Sequence, residues 1–319
     1  MATTGELVVR VFLAIFGFLG GVTNVLIFSA LLPLKIGSRL TTILLRVQCV
    51  VDGYTCFMMF LYKVIGDEIH TGADAFDRIM CYIWFRDNLF WIGAILSVQN
   101  VVCISFDRFS AVLCPVTYKV RHRTLIICTF CYEGLLSIFL FLPNFFARRY
   151  ADGRCQWTIL TENEPLTTFF KVESVWWLLF SYILPVVFLV ASHIFVICRL
   201  YRSKPGRPSL VDIHNPSTGN EIHTGKRRLA WTTVMMAATL LFGHSVDSIS
   251  YLLASAGVLD YKTGSLRQQL GLFFIVLSST VIPFVLAGSM PIVGRRILAV
   301  KMKVLQFLRQ NKVHADSEK

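Results

Sequence analysis

Seven apolar stretches, each long enough to cross a bilayer as a helix, constrain this chain more than any other feature. They run roughly from Leu7 to Leu32, Thr41 to Ile65, Ile79 to Cys114, Leu125 to Phe146, Val172 to Tyr201, Leu229 to Ala256 and Leu266 to Met290. Spanning about 30 Å of hydrocarbon takes about 20 helical residues. With 55% hydrophobic and 16% charged residues, the 319-residue chain also holds more apolar side chains than one soluble core can bury. The expected class is an all-α membrane protein, a seven-transmembrane helix bundle over residues 1–290. The first stretch reads as a retained membrane helix, since it lacks a basic leader and a small-residue cleavage site. No segment repeats another and no two halves mirror each other, which removes repeat-built transporters.

Bases set the orientation. Lys35, Arg39, Lys119, Arg121, Arg123, Arg202, Arg228, Arg295 and Arg296 fall after the first, third and fifth stretches or in the tail, while acids and bases balance on the other side. The positive-inside rule puts the C-terminus in the cytoplasm and, after seven crossings, the N-terminus outside, as for a multi-pass plasma-membrane protein. The net charge of +12 therefore meets anionic membrane lipids, and nucleic acid is not an expected partner. Residues 203–225, rich in Pro, Gly and polar side chains, read as a flexible third cytoplasmic loop. In 291–319, Val293, Ile297, Val300, Val304 and Leu308 form one stripe with bases off it, which predicts a short amphipathic helix on the inner leaflet and then a tail.

Seven of nine cysteines lie in or at the ends of apolar stretches and read as small buried hydrophobes. Cys81 and Cys155 differ, because the topology puts both on the oxidising side. A disulfide between them is the simplest pairing, and it would tie the long loop before the fifth helix over the bundle.

The stretch CISFDRFSAVLCPVTY, Cys103 to Tyr118, places an acid and a base together at the end of an apolar run. Together with seven helices, an outer N-terminus and the Cys81 and Cys155 positions, it resembles a rhodopsin-like (class A) G-protein-coupled receptor, over nearly the whole chain. Asp107, Arg108, Phe109, Ala111, Val112 and Pro115 satisfy the family pattern D-R-Y/F, A-V, two residues, Pro. Asn24, Asp52 and Pro185 match family positions in the first, second and fifth helices, and Ser97 falls where a serine often stands beside that Asp. The resemblance implies an extracellular ligand, a heterotrimeric G protein engaged through Asp107, Arg108, Phe109 and Pro115, and no catalysis.

Elsewhere the chain departs from the pattern. The sixth helix reads LLFGHSVDSISY in place of F-x-x-C-W-x-P, with His244 and Val246 near the Trp and Pro places. The seventh keeps Pro283 but has Ile282 and Leu286 where N-P-x-x-Y carries Asn and Tyr, and Cys81 to Arg108 is about two residues longer than usual. A seventh helix of this kind is similar to the lineage-expanded orphan receptors of flatworms.

A charge at mid-bilayer costs roughly 2.5–3.5 kcal/mol on insertion scales, so each needs a partner or a task. Arg108 at the inner rim pairs with Asp107 at rest and turns to another partner when the helices part, a two-state element. Asp52, with Ser97 and Asn24 as neighbours, either holds a sodium ion or stands as a hydrogen-bonded carboxyl. The ligand is expected among Arg86, Asp87, Phe90 and Trp91 on the third helix, Trp176 and Trp177 on the fifth, His244, Asp247 and Tyr251 on the sixth, and Gln268 near the seventh. Phe90 takes the place where amine receptors carry Asp, which argues against a monoamine. No Lys lies between Gln268 and Met290, so retinal has no attachment point. Acids and aromatics under a charged loop suit a short peptide. Two alternatives stand beside this reading. The rewritten sixth and seventh helices suit a non-signalling seven-helix scaffold, and an intramembrane enzyme or ion pathway would need clustered ligands such as H-E-x-x-H, which are absent.

Overall fold

The computed structural model describes residues 4–157, 165–202, 216–255, 258–259, 264–299 and 302. Among them, 7 helical spans are long and apolar enough to cross a membrane. The first two are α1 (Thr4–Leu31) and α2 (Arg39–Ile65). The third is broken into α3 (Asp74–Ile83) and α4 (Asn88–Leu113). A short α5 (Pro115–Val120) leads to the fourth, α6 (His122–Phe141) with α7 (Pro143–Phe146). The hairpin β1 (Arg148–Ala151) and β2 (Arg154–Trp157) precedes the fifth, formed by α8 (Pro165–Leu178), a π-turn (Leu179–Ile183) and α9 (Leu184–Arg202). The sixth is α10 (Pro216–Ser255) and the seventh α11 (Leu266–Ser289).

Local chemistry sets the ends. The Ser38 hydroxyl caps α2 by accepting from the Thr41 amide at 3.0 Å, and Gly66, with φ of 114°, closes that helix. Pro115 and Pro143 stand at the first turns of α5 and α7, where a missing N–H costs nothing. Small residues let the helices approach closely: a Cβ at Gly17 would fall 2.8 Å from the Cys56 carbonyl, and one at Gly243 2.8 Å from that of Phe274.

Two apolar clusters fill the bundle. One, toward the end expected to face the cytoplasm and called inner, includes Leu44, Ile104, Leu189, Met236 and Leu286, and the other, called outer, Leu13, Met59, Tyr62, Phe90 and Ile275. A layer of buried polar groups, Asn24, Gln48, Asp52, Ser97 and Asn100, lies in the bundle with them. Large apolar side chains such as Val25, Leu135 and Phe242 face outward, as a hydrocarbon surround requires.

The stretch read as a third cytoplasmic loop is partly helical, since α10 begins at Pro216; residues 203–215 lie outside the described residues. Residues 291–299 are helical after the seventh span. There Val293 is fully buried in the inner cluster and Ile297 packs against it, so these two members of the predicted stripe face the bundle. Val300, Val304 and Leu308 lie outside the described residues.

Candidate functional site

Between Cys81 and Arg108 the third span breaks, α3 ending at Ile83 and α4 beginning at Asn88. Arg86 and Asp87 both have left-handed backbone, φ 45° and 48°, which non-glycine residues rarely adopt. The break is tied down at several points. The Arg86 amide donates to the Asp67 carbonyl at 3.0 Å, the Trp84 indole to that of Gly66 at 2.9 Å, and the Asn88 side chain to that of Tyr82 at 2.8 Å. Its effect is to turn Asp87 toward the bundle axis at the outer end.

The disulfide Cys81–Cys155, with Cα atoms 5.3 Å apart, joins α3 to the hairpin. Asp152 and Gly153 both have positive φ, 53° and 69°, and form the two-residue turn that register partners Ala151 and Arg154 close. Arg148 pairs in register with Trp157, and its guanidinium lies 5.2 Å from the centre of that indole ring. Burial lowers the Arg148 guanidinium to about 10, with Asp87 and Tyr62 acting in the opposite sense.

Beneath the hairpin lies a cavity of about 190 Å³. Asp87, Trp91, Trp177, Asp247, Tyr251 and Gln268 line it, and so do Asn144, Arg148, Trp157, Glu173 and Ser181. The Gln268 amide donates to Asp87 at 3.3 Å, and Trp91 meets Trp177 edge to face at 5.8 Å. Three carboxylates thus share the lining with one guanidinium and four aromatic rings. A second outer cavity of about 350 Å³, lined by Glu68, His70, Asp77, Tyr150 and Arg154, lies against the Cys81–Cys155 bridge.

Four residues expected at the ligand site do not line either cavity. Phe90 is fully buried in the outer apolar cluster with its ring against Trp91, and His244 is buried. Trp176 is 44% exposed and stacks on Phe180 at 5.5 Å, on the outer surface of the bundle. The Arg86 guanidinium lies over the Phe85 ring at 5.4 Å. Sequence reasoning passed over Arg148, Trp157 and Glu173. The Asp-Gly pair between two short alternating runs is a hairpin signal that points to the first two.

At the inner end, the Asp107 carboxylate gathers three donors. Thr41 donates its hydroxyl at 2.6 Å, Tyr118 donates to the other oxygen, and the Arg108 guanidinium pairs with it from the next position, with Nε at 3.1 Å. Tyr118 also meets the Ser38 hydroxyl at 2.7 Å. Burial, with the bond to Asp107, raises the Tyr118 phenol to about 12. Arg108, Pro115 and Tyr118 line an inner cavity of about 810 Å³ that also carries Lys35, Lys119, Arg228 and Arg295. Phe109 packs on Phe195 of α9 at 5.1 Å instead.

Between the two ends, Ser97 donates to Asp52 at 2.7 Å and the Gln48 amide donates to Asp52 at 2.9 Å. Asn100 donates to Gln48 at 2.7 Å, while Asn24 donates to the Ser279 carbonyl of α11 at 3.0 Å. An amide nitrogen of Gln48 thus stands where a cation on the Asp52 carboxylate would need oxygen. The His193 ring meets the Ser105 hydroxyl at 3.1 Å.

Comparison with known proteins accords with this layout. Residues 23–293 match the family described as 7 transmembrane receptor (rhodopsin family). Among curated proteins, the muscarinic acetylcholine receptor M5 of Macaca mulatta is 26% identical over 220 residues, 64% of this chain and 37% of that protein. The Mus musculus receptor of that name is 26% identical over 67% of this chain and 38% of its own length, and the Homo sapiens one 27% identical over 58% and 34%. The matched part thus spans little more than a third of these relatives. The family match covers most of the chain, and the chain belongs to the rhodopsin family of seven-transmembrane receptors.

Proposed function

We propose that this chain is a signalling receptor of the plasma membrane, with its N-terminus outside, that binds an extracellular ligand and activates a heterotrimeric G protein by helix rearrangement. The observation that carries the ligand reading is the outer cavity, where Asp87, Glu173 and Asp247 outnumber Arg148 and stand among Trp91, Trp157, Trp177 and Tyr251. Carboxylates with aromatic faces favour a cationic group. A short peptide with an Arg side chain or a free amine suits this lining, and the second cavity beside the disulfide offers its remaining residues a polar surface.

Inside, the closed Asp107–Arg108 pair above a basic cavity supports a resting state that opens toward a G protein. Sodium at Asp52 and Ser97 fits less well, given the Gln48 amide, and no step depends on it. The partial match to acetylcholine receptors favours a second reading, a small organic cation, and the modest volume of the cavity agrees with it. The rewritten sixth and seventh helices keep the non-signalling scaffold as the third.

One screen separates these readings. Cells carrying promiscuous G-protein reporters are exposed to a peptide library and to a set of small organic cations. Responses to basic peptides that vanish in Arg108→Ala while surface binding persists are the expected result. A response confined to small cations overturns the peptide, and binding without any response overturns signalling.

A further inference from the structure

A groove of about 460 Å³ opens sideways from the bundle between α4, α6 and the fifth span, within the size range of roughly 300–1,000 Å³ for small-ligand sites. Phe106, Leu125, Cys128, Tyr132, Phe180 and Phe188 line it, every one of them inside a membrane-spanning helix. Phe106 and Tyr132 are exposed toward the surround, so whatever fills the groove enters from the bilayer.

Its upper end is held open by a chain of hydrogen bonds across three spans. The Tyr132 hydroxyl donates to the Gln99 side chain at 3.0 Å, and the Gln99 amide donates to the Phe180 carbonyl at 3.0 Å. Phe180 belongs to the π-turn, whose wider winding leaves a carbonyl for a side chain to meet. These polar groups are satisfied within the protein and ask nothing of an occupant. The remaining wall is almost wholly hydrocarbon and suits a flexible apolar chain.

The lower end differs. Leu125, Cys128 and Tyr132 line the groove at helical spacing of three and four, and Arg121, the N-cap of α6, stands one turn before Leu125 on the same face. Arg121 is exposed there. Bases at a membrane surface attract anionic headgroups.

We propose that this groove holds one acyl chain of an anionic phospholipid, with its headgroup at Arg121 and its tail reaching Tyr132. The site is separate from the outer cavity and needs neither its ligand nor a G protein. The occupied groove would brace the Gln99 bridge, and with it the segment that carries Trp177 and Ser181 into the outer cavity.

The test uses the full chain in phosphatidylcholine nanodiscs containing phosphatidylserine with a diazirine in its acyl chain, irradiated and mapped by peptide mass spectrometry. Label should concentrate on the peptides bearing Phe106, Cys128 to Tyr132 and Phe188, above exposed surface positions such as Ile138 and Phe242. The same tail on phosphatidylcholine should label about fivefold less, as one base near an anionic headgroup implies. Cys128→Trp, which fills the groove, should bring labelling to the level of the surface positions. Arg121→Gln, which leaves the groove intact, should remove the headgroup preference. Even labelling of the whole surface would mean annular lipid only and would overturn the site. Equal labelling by both headgroups, or displacement of the phospholipid by a diazirine sterol, would overturn the assigned occupant.

Discussion

Removing one oxygen atom from the inner lock tests whether it holds the receptor at rest. Tyr118→Phe deletes a hydroxyl that donates to a fully buried Asp107 carboxylate and meets Ser38, and leaves the ring in place. Hydrogen bonds to charged groups contribute roughly 1.5–3 kcal/mol, and Thr41 and Arg108 remain as donors, so a loss of about 2 kcal/mol from the closed state is expected. If the open state lacks this bond, the closed-to-open ratio shifts about 30-fold. A receptor that is about 1% open at rest would become about a quarter open. Two assays read the change. Basal nucleotide exchange on a G-protein panel should rise, and hydrogen exchange at the inner end of α10 should accelerate without any partner present. The phenol sits at about 12 in the folded chain, raised from its ordinary value by burial and Asp107. Its contribution is therefore full below about pH 10 and is lost as pH rises through about 12. Wild-type and Tyr118→Phe should then differ by a constant amount between pH 6 and 8. Unchanged exchange in both assays, at normal surface expression, would refute the lock.

Three further outcomes follow from the packing. Cys155→Ser opens a loop with a sequence separation of 74 residues, which the chain-entropy argument values at about 4.5 kcal/mol, and should lower surface expression and thermal stability together; wild-type values of both would sink the clasp. Gly243→Val drives a side chain into Ser278 and the Phe274 carbonyl, so the melting temperature should drop by the equivalent of about 1–3 kcal/mol, whereas an unchanged value would mean that α10 and α11 are farther apart. Asp52→Asn should weaken the contacts with Ser97 and Gln48 and remove any sodium dependence of ligand affinity, and a wild-type affinity that ignores sodium refutes the ion at that carboxylate.

Length and apolarity made the seven spans legible, because a helix in lipid announces itself by its own composition. The Asp107–Arg108 pair was legible for a related reason: charge is costly in such a run and stands out. What sequence reading lost was rotational phase. Its placement of Trp176 toward the ligand misses the π-turn between that residue and Pro185, where one extra residue turns a helix face by about 100°. Phe90 presents the same problem from the other side of a break, since helical phase cannot be counted from Cys81 through Arg86 and Asp87. Gln48 and Asn100 were invisible for another reason. A neutral amide in an apolar helix carries no periodic signal, and Asn100 finds its partners, the Leu44 carbonyl and Gln48, on a different helix.

The break itself yields the sharpest separation of backbone from charge. Asp87 combines left-handed backbone with a carboxylate in the outer cavity, and the two roles respond to different substitutions. Asn adopts left-handed backbone at least as readily as Asp and keeps a hydrogen-bonding side chain, whereas Ala does neither. Asp87→Asn should therefore keep the melting temperature near wild type and reduce affinity for cationic ligands. Asp87→Ala should reduce that affinity as well and also lose about 1–2 kcal/mol of stability to backbone strain. Melting temperatures from thermal denaturation of the purified protein, set beside competition binding with a basic peptide, read both quantities. If Asn weakened the fold as much as Ala, the carboxylate would be a structural partner, and the cation site would have to rest on Glu173 and Asp247. If neither variant changed the affinity, the ligand would not reach this turn of the third span at all.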